Sequence, residues 1–119
     1  MEERRTLNSL SEIIDQIIIS DISSESREKI ITLKKEDLFS LHLNLGMFIR
    51  NKYLYSREVD LQKLTEELLI HKIDTKKIRE ITNEFEYQLE LGWIQPDDIS
   101  GYITEEIWRI LRKENELKK

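Results

Sequence analysis

The chain has 119 residues and a mass of 14.4 kDa, room for one compact domain. Isoleucine and leucine supply 34 residues while alanine is absent and glycine and proline number three and one, which excludes collagen-like, linker-like and Pro-rich disordered chains. With no cysteine, disulfide scaffolds, thiolate zinc sites and cysteine nucleophiles are excluded. A net charge of −5 argues against a general phosphate-backbone binder.

No wholly apolar run exceeds three residues, as at Ile17 to Ile19, which is too short to cross a bilayer. The charged start MEERR lacks the hydrophobic core of a signal peptide, so the expected location is the cytoplasm, with no membrane partner.

In chain order the pattern is helical. Ser9-Leu10-Ser11-Glu12 forms a capping box. Leu10, Ile13, Ile14, Ile17 and Ile18 behind it share one helical stripe, predicting a helix near 10–20. The serines at 23, 24 and 26 end it and cap a short helix near 25–32. Glu36 and Asp37 put negative charge on the first turn of a third helix, where the helix dipole favours it. Leu38, Leu41, His42, Leu45, Ile49 and Tyr53 continue that helix to about Lys52, with a connector from Tyr53 to Arg57.

A fourth helix near 60–72 buries Leu61, Leu64, Leu68 and Leu69. Asp74 caps a fifth near 75–91, with Ile78, Ile81, Phe85 and Leu89 expected inward and Gly92 at its end. Pro96-Asp97-Asp98 starts the last helix, with proline in the first turn and carboxylates at the positive end of the dipole. Ile99, Ile103, Ile107, Ile110 and Leu111 carry that stripe to about Glu114. The expected architecture is all-α: a single compact bundle of five to six helices spanning 1–119, with 1–8 and 115–119 frayed.

Two clusters stand out. In the first, a mid-helix glycine costs about 1 kcal/mol relative to alanine, so Gly46 needs a packing reason. His42, Gly46, Arg50 and Tyr53 lie along one side of that helix, and the missing side chain at Gly46 leaves room for another backbone. The second cluster is Pro96-Asp97-Asp98-Ile99-Ser100-Gly101, whose carboxylates suit a guanidinium or imidazolium on a half-buried stripe.

Together these residues form a gapped signature: Glu36-Asp37-Leu38, His42, Leu45-Gly46-Met47, Ile49-Arg50-Asn51 and Tyr53, then Pro96-Asp97-Asp98, Ser100, Ile103 and Trp108. It resembles a family of small bacterial proteins classed only as a domain of unknown function, with segments like H-x-x-L-G-M-x-I-R-N-x-Y and H-P-D-D-x-S. The resemblance covers about a third of the chain. Gln95 stands where the family has histidine, and the connector between the two segments is longer here. The resemblance implies that the clusters belong together and brings no established activity.

Chemically, His42, Asp97 and Asp98 can offer one nitrogen and two oxygens to a divalent ion or a hydrolytic water. Arg50 can hold an anion beside an acid–base pair. The structural alternative is an Arg50–aspartate ion pair with His42 hydrogen-bonded on a buried stripe, and it is the preferred reading. His71, beside Lys72 at a helix C-terminus, reads as a favourable charge there and not as a ligand. There is no HExxH spacing, no Gly-rich phosphate loop and no nucleophile elbow around Ser100, so no metal ligand set and no cofactor are assigned. Nucleic acid is not the expected partner either: Arg109, Arg112 and Lys113 are the only candidate recognition run, and they suit a helix C-terminus.

The charge distribution is sharper than its sum. Between Arg79 and Arg109 there is no basic residue, while Glu80, Glu84, Glu86, Glu90, Asp97, Asp98, Glu105 and Glu106 all fall in that interval. Solvated helix faces explain such charges in most proteins. The expectation adopted is a non-enzymatic protein-binding module that meets a basic protein through Glu80, Glu84, Glu86, Glu90 and Trp93, tryptophan being common at interface hot spots. Size and acidity suggest a toxin-neutralising immunity protein or an accessory subunit of a bacterial defence system. The alternative is a small metal-assisted or acid–base enzyme centred on His42, Arg50, Asp97 and Asp98.

Overall fold

A hydroxyl starts the first helix: the amide of Glu12 donates to Ser9 Oγ at 3.1 Å, and α1 runs over Leu10–Gln16. One turn of π-helix, Ile17–Asp21, extends it. The wider turn keeps Ile17 and Ile18 buried in line with Leu10, Ile13 and Ile14. This computed structural model describes residues 9–56, 59–72, 84–92 and 94–117, leaving out the side chains of His71, Lys72 and Glu90.

The Ser23 hydroxyl accepts from the Ser26 amide at 3.1 Å and opens α2, Ser24–Ile31. A single 3₁₀ turn, Lys35–Asp37, leads into α3, Leu38–Ile49. The Lys34 amide donates to the Asp37 carboxylate at 3.1 Å, so that acid closes the turn. A second π turn, Arg50–Leu54, continues α3 through part of the expected connector. Tyr53 and Leu54 are buried there, and the Tyr53 hydroxyl donates to Asp21, the last residue of the first π turn.

Asp60 accepts from the Lys63 amide at 3.2 Å and caps α4, Leu61–Lys72, which buries Leu64, Leu68 and Leu69. The proposed cap Asp74 and the inward positions Ile78 and Ile81 lie outside the described residues. In the last described stretch of that region, α5, Glu84–Gly92, the expected orientation is overturned. Phe85 is 73% exposed and Leu89 50% exposed, while Leu91 is buried and Tyr87 half-buried. The helix carries two apolar pairs four residues apart, and the 87/91 pair is the one it buries.

The last helix, α6, spans Pro96–Leu117, about 33 Å at the usual rise per residue. It continues past Glu114 to Leu117. The Gln95 amide donates to the Asp98 carboxylate at 2.8 Å, which anchors its first turn. Ile99, Ile103, Ile107 and Leu111 are buried with Ser100 and Thr104, and Ile110 is half-buried. Helices α1, α2, α3 and α4 all pack against this spine, and its contact with α3 is the most extensive. Cross-links fasten the layers: Glu67 of α4 accepts from the Leu10 amide (3.0 Å), and Trp108 Nε1 donates to the Leu33 carbonyl (2.9 Å). The described residues form six α-helices and no strand, an all-α bundle.

Candidate functional site

Helices α3 and α6 run antiparallel, so ascending positions on one meet descending positions on the other. His42 lies against Gly101, Gly46 against Ser100, and Arg50 against Ser100 and Asp97. The two signature clusters are therefore brought together.

Each glycine in this contact seats a side chain from the facing helix. A Cβ at Gly101 would stand 3.3 Å from the imidazole of His42, tighter than nearly all ordinary contacts. A Cβ at Gly46 would stand 3.4 Å from Arg50 Nη1 and 3.6 Å from Ser100 Oγ. The close approach at Gly46 is thus made by side chains, a guanidinium and a hydroxyl, where the sequence suggested a backbone.

Arg50 Nη1 donates to Ser100 Oγ at 3.0 Å and lies 3.2 Å from Asp97 Oδ1. The buried Ser100 hydroxyl in turn donates to the Asp97 carbonyl at 3.1 Å. Asp97 is the guanidinium's partner, and its carboxylate is 81% exposed. Asp98 faces the backbone of its own helix start. Gln95 sits at that same cap, its side-chain amide donating to the Gly92 carbonyl at 3.2 Å. Pro96 opens the helix, and Asn51 is exposed on the π turn.

His42 finds a different carboxylate: Nε2 stands 3.8 Å from Glu105 Oε1. Residues 97, 101 and 105 recur every four positions on α6, which puts Asp97, Gly101 and Glu105 on one face. That spacing was the available signal for Glu105 as a neighbour of His42. Together His42, Asp97, Asp98, Gly101, Tyr102 and Glu105 line an open groove of about 300 Å³. Burial, and then the carboxylates of Glu106 and Glu67, raise the Tyr102 hydroxyl above its usual range, against a small opposing pull from Arg109.

The groove's geometry is loose for chemistry. A general base is oriented by hydrogen bonds of about 2.6–3.2 Å, and the His42–Glu105 separation exceeds that. His42, Asp97 and Asp98 do not converge as a ligand set, and no group of three such side chains among the described residues does.

Tyr53 takes no part in this groove. Its hydroxyl and the Lys52 ammonium both donate to Asp21, which is nearly buried. Burial first, then the hydrogen bond and the negative charge of Asp21, push the Tyr53 hydroxyl far up from its ordinary 10.0. Asp21 thereby ties the two π turns together. It was not singled out in the sequence because 31 and 32 residues separate it from Lys52 and Tyr53.

No protein-family model, no curated protein and no solved structure matches the chain.

Of the residues assigned to partner binding, Glu84 and Glu86 are exposed on α5. Glu84 accepts from the Gln88 side chain at 2.8 Å, one turn on. Glu80 and Trp93 lie outside the described residues, as does the side chain of Glu90. What sequence reasoning missed on this helix is Phe85 and Leu89, solvent-facing beside those carboxylates.

Proposed function

We propose that this chain is a non-enzymatic protein-binding module that docks a basic protein through α5. The observation that carries the reading is the outward placement of Phe85 and Leu89 beside Glu84 and Glu86. Interfaces combine a few apolar or aromatic anchors with a polar rim, and α5 offers both within nine residues. The stretch from Glu80 to Trp108 holds no basic residue, so the surrounding field favours a positive partner and speeds its encounter. A toxin-neutralising immunity protein, or an accessory subunit of a bacterial defence system, is the concrete form of this proposal. An acidic face with an aromatic anchor suits occupation of a basic nuclease's cleft.

Affinity capture from the native cell tests it, with wild-type bait compared against Glu84→Lys/Glu86→Lys and against Phe85→Ala at low and high salt. The expected result is a basic protein held by the wild type at low salt, lost from the double reversal and weakened by the alanine variant. A partner retained equally by all baits at high salt refutes it.

A second reading rests on the groove under His42: a small acid–base or metal-assisted enzyme using His42, Arg50, Asp97 and Asp98. Here Arg50 already serves Ser100 and Asp97, which favours the structural role. Arg50→Ala separates the two, measured by melting temperature together with divalent-ion binding. A large drop without ion binding supports the structural pair, and an unchanged fold that loses ion binding supports the enzyme.

A further inference from the structure

Helix α6 extends beyond its basic run. Arg109, Arg112 and Lys113 suit a helix C-terminus only if the helix ends beside them, and α6 continues to Leu117. The favourable interaction of a cation with the helix dipole is confined to the last turn. That turn holds Glu114 and Glu116 and no basic residue, so the dipole does not account for the three cations.

Residues 108, 109, 112, 113 and 116 share one side of the helix and line an open groove of about 440 Å³. Trp108 is its fixed point: Nε1 donates to the Leu33 carbonyl at 2.9 Å, and the Arg112 guanidinium stacks 4.8 Å from the ring centroid. Arg109 bonds to Glu106 at 2.6 Å, yet its side chain stays 67% exposed, and Lys113 is exposed. Of the five described residues lining the groove, only Glu116 is acidic. Lys34 and Lys35, both exposed, follow directly on the Leu33 that holds the indole.

We infer that this face of α6 is a second docking surface, fitted to an acidic segment of a partner protein. Charge decides the sign of the occupant. The chain carries −5 overall and has no basic residue from Glu80 to Trp108, whereas three cations gather here on one helix face beside an indole. Guanidinium groups pair with carboxylates in matching planes, and tryptophan and arginine are the side chains that most often dominate interface energies. Shape decides the class of occupant. All five lining residues come from one helix, so the groove is a shallow strip and not a concavity that closes round a small molecule. A nucleic-acid backbone following that strip meets the exposed carboxylates of Glu105, Glu114 and Glu116 on either side of the cations. A short acidic segment crossing α6 needs only the stretch from Trp108 to Lys113.

Nuclear magnetic resonance of the full chain at low salt tests the inference with three probes: an octaglutamate peptide, an octaglutamine peptide and an oligothymidylate of equal length. Octaglutamate is expected to move the Trp108 indole N–H and the amide signals from Arg109 to Lys113, saturably and less as salt is added, while octaglutamine moves none of them. Arg109→Gln/Lys113→Gln lowers the affinity by about threefold or more, and Arg112→Gln lowers it too. Lys29→Gln/Lys63→Gln removes the same charge from exposed positions on α2 and α4 and leaves the affinity within about twofold. Circular dichroism checks that each variant keeps the helical signal.

Shifts spread equally over the Lys29 and Lys63 amides overturn the inference, as does an equal loss of affinity in the two double variants. The absence of any saturable shift at Trp108 overturns it as well. Tighter binding of the oligothymidylate at the same residues overturns it in favour of a polynucleotide surface.

Discussion

At the residue scale, stability turns on side chains whose partners are distant in sequence. Arg50 is mostly buried and donates a hydrogen bond to the buried Ser100 hydroxyl, whereas its ionic partner Asp97 is largely in water. Removing the guanidinium should therefore cost more than removing the carboxylate charge. Arg50→Ala is expected to destabilise by about 1–2 kcal/mol and Asp97→Asn by less than about 1 kcal/mol, read from urea unfolding midpoints. Tyr53 yields a pH prediction. Its folded hydroxyl titrates above the ordinary 10.0, so the folded state holds that proton more tightly than the unfolded chain does. The associated stability is complete below pH 10 and is lost as pH rises beyond it. Tyr87 and Tyr102 are raised too and contribute in the same direction. Tyr53→Phe should flatten the alkaline fall in stability relative to wild type, followed by thermal melts through the alkaline range. A fall as steep in the variant would contradict the role given to this phenol. The cost of losing the hydroxyl at neutral pH is about 1 kcal/mol, since Asp21 keeps Lys52.

At the element scale, the features visible in sequence are those decided within one turn of helix. The hydroxyl caps at Ser9 and Ser23, Pro96 in the first turn of α6 and the acid at Asp98 depend on neighbours three or four residues away, and all four act locally as their spacing implies. The long isoleucine stripe of α6 was equally plain because only one of its faces is apolar enough to bury. Helix α5 shows where such reading stops. Phe85 and Leu89 form as good an apolar pair as Tyr87 and Leu91, and the packing of α5 on α4 decides between them. Within the candidate site, Arg50 with Asp97 was legible as a charge match, whereas outside it Asp21 with Tyr53 joins positions that only the fold brings together. Truncations distinguish the two faces of α5. Phe85→Ala and Leu89→Ala should each stay within about 0.5 kcal/mol of wild type, whereas Leu91→Ala should cost about 2–3 kcal/mol. Equal losses at Phe85 and Leu91 in denaturant titrations would mean that the outward face of α5 is buried in solution.

At the scale of the whole molecule, net charge and charge placement make different predictions about the proposed partner. Reversing Glu84 and Glu86 to lysine moves the net charge from −5 to −1, two units for each substitution. Reversing Glu114 and Glu116 moves it by the same amount, on exposed positions near the end of α6. Those positions lie about 25 Å along the helix from Asp98 at the usual rise per residue, well beyond the roughly 8 Å over which physiological salt lets exposed charges act. If the sum of charge governed recognition, both pairs would weaken binding alike. Recognition by the α5 face instead predicts that the Glu84/Glu86 reversal lowers affinity by at least about tenfold at physiological salt, while the Glu114/Glu116 reversal changes it by less than about threefold and chiefly through the association rate at low salt. Surface plasmon resonance against the captured partner measures both.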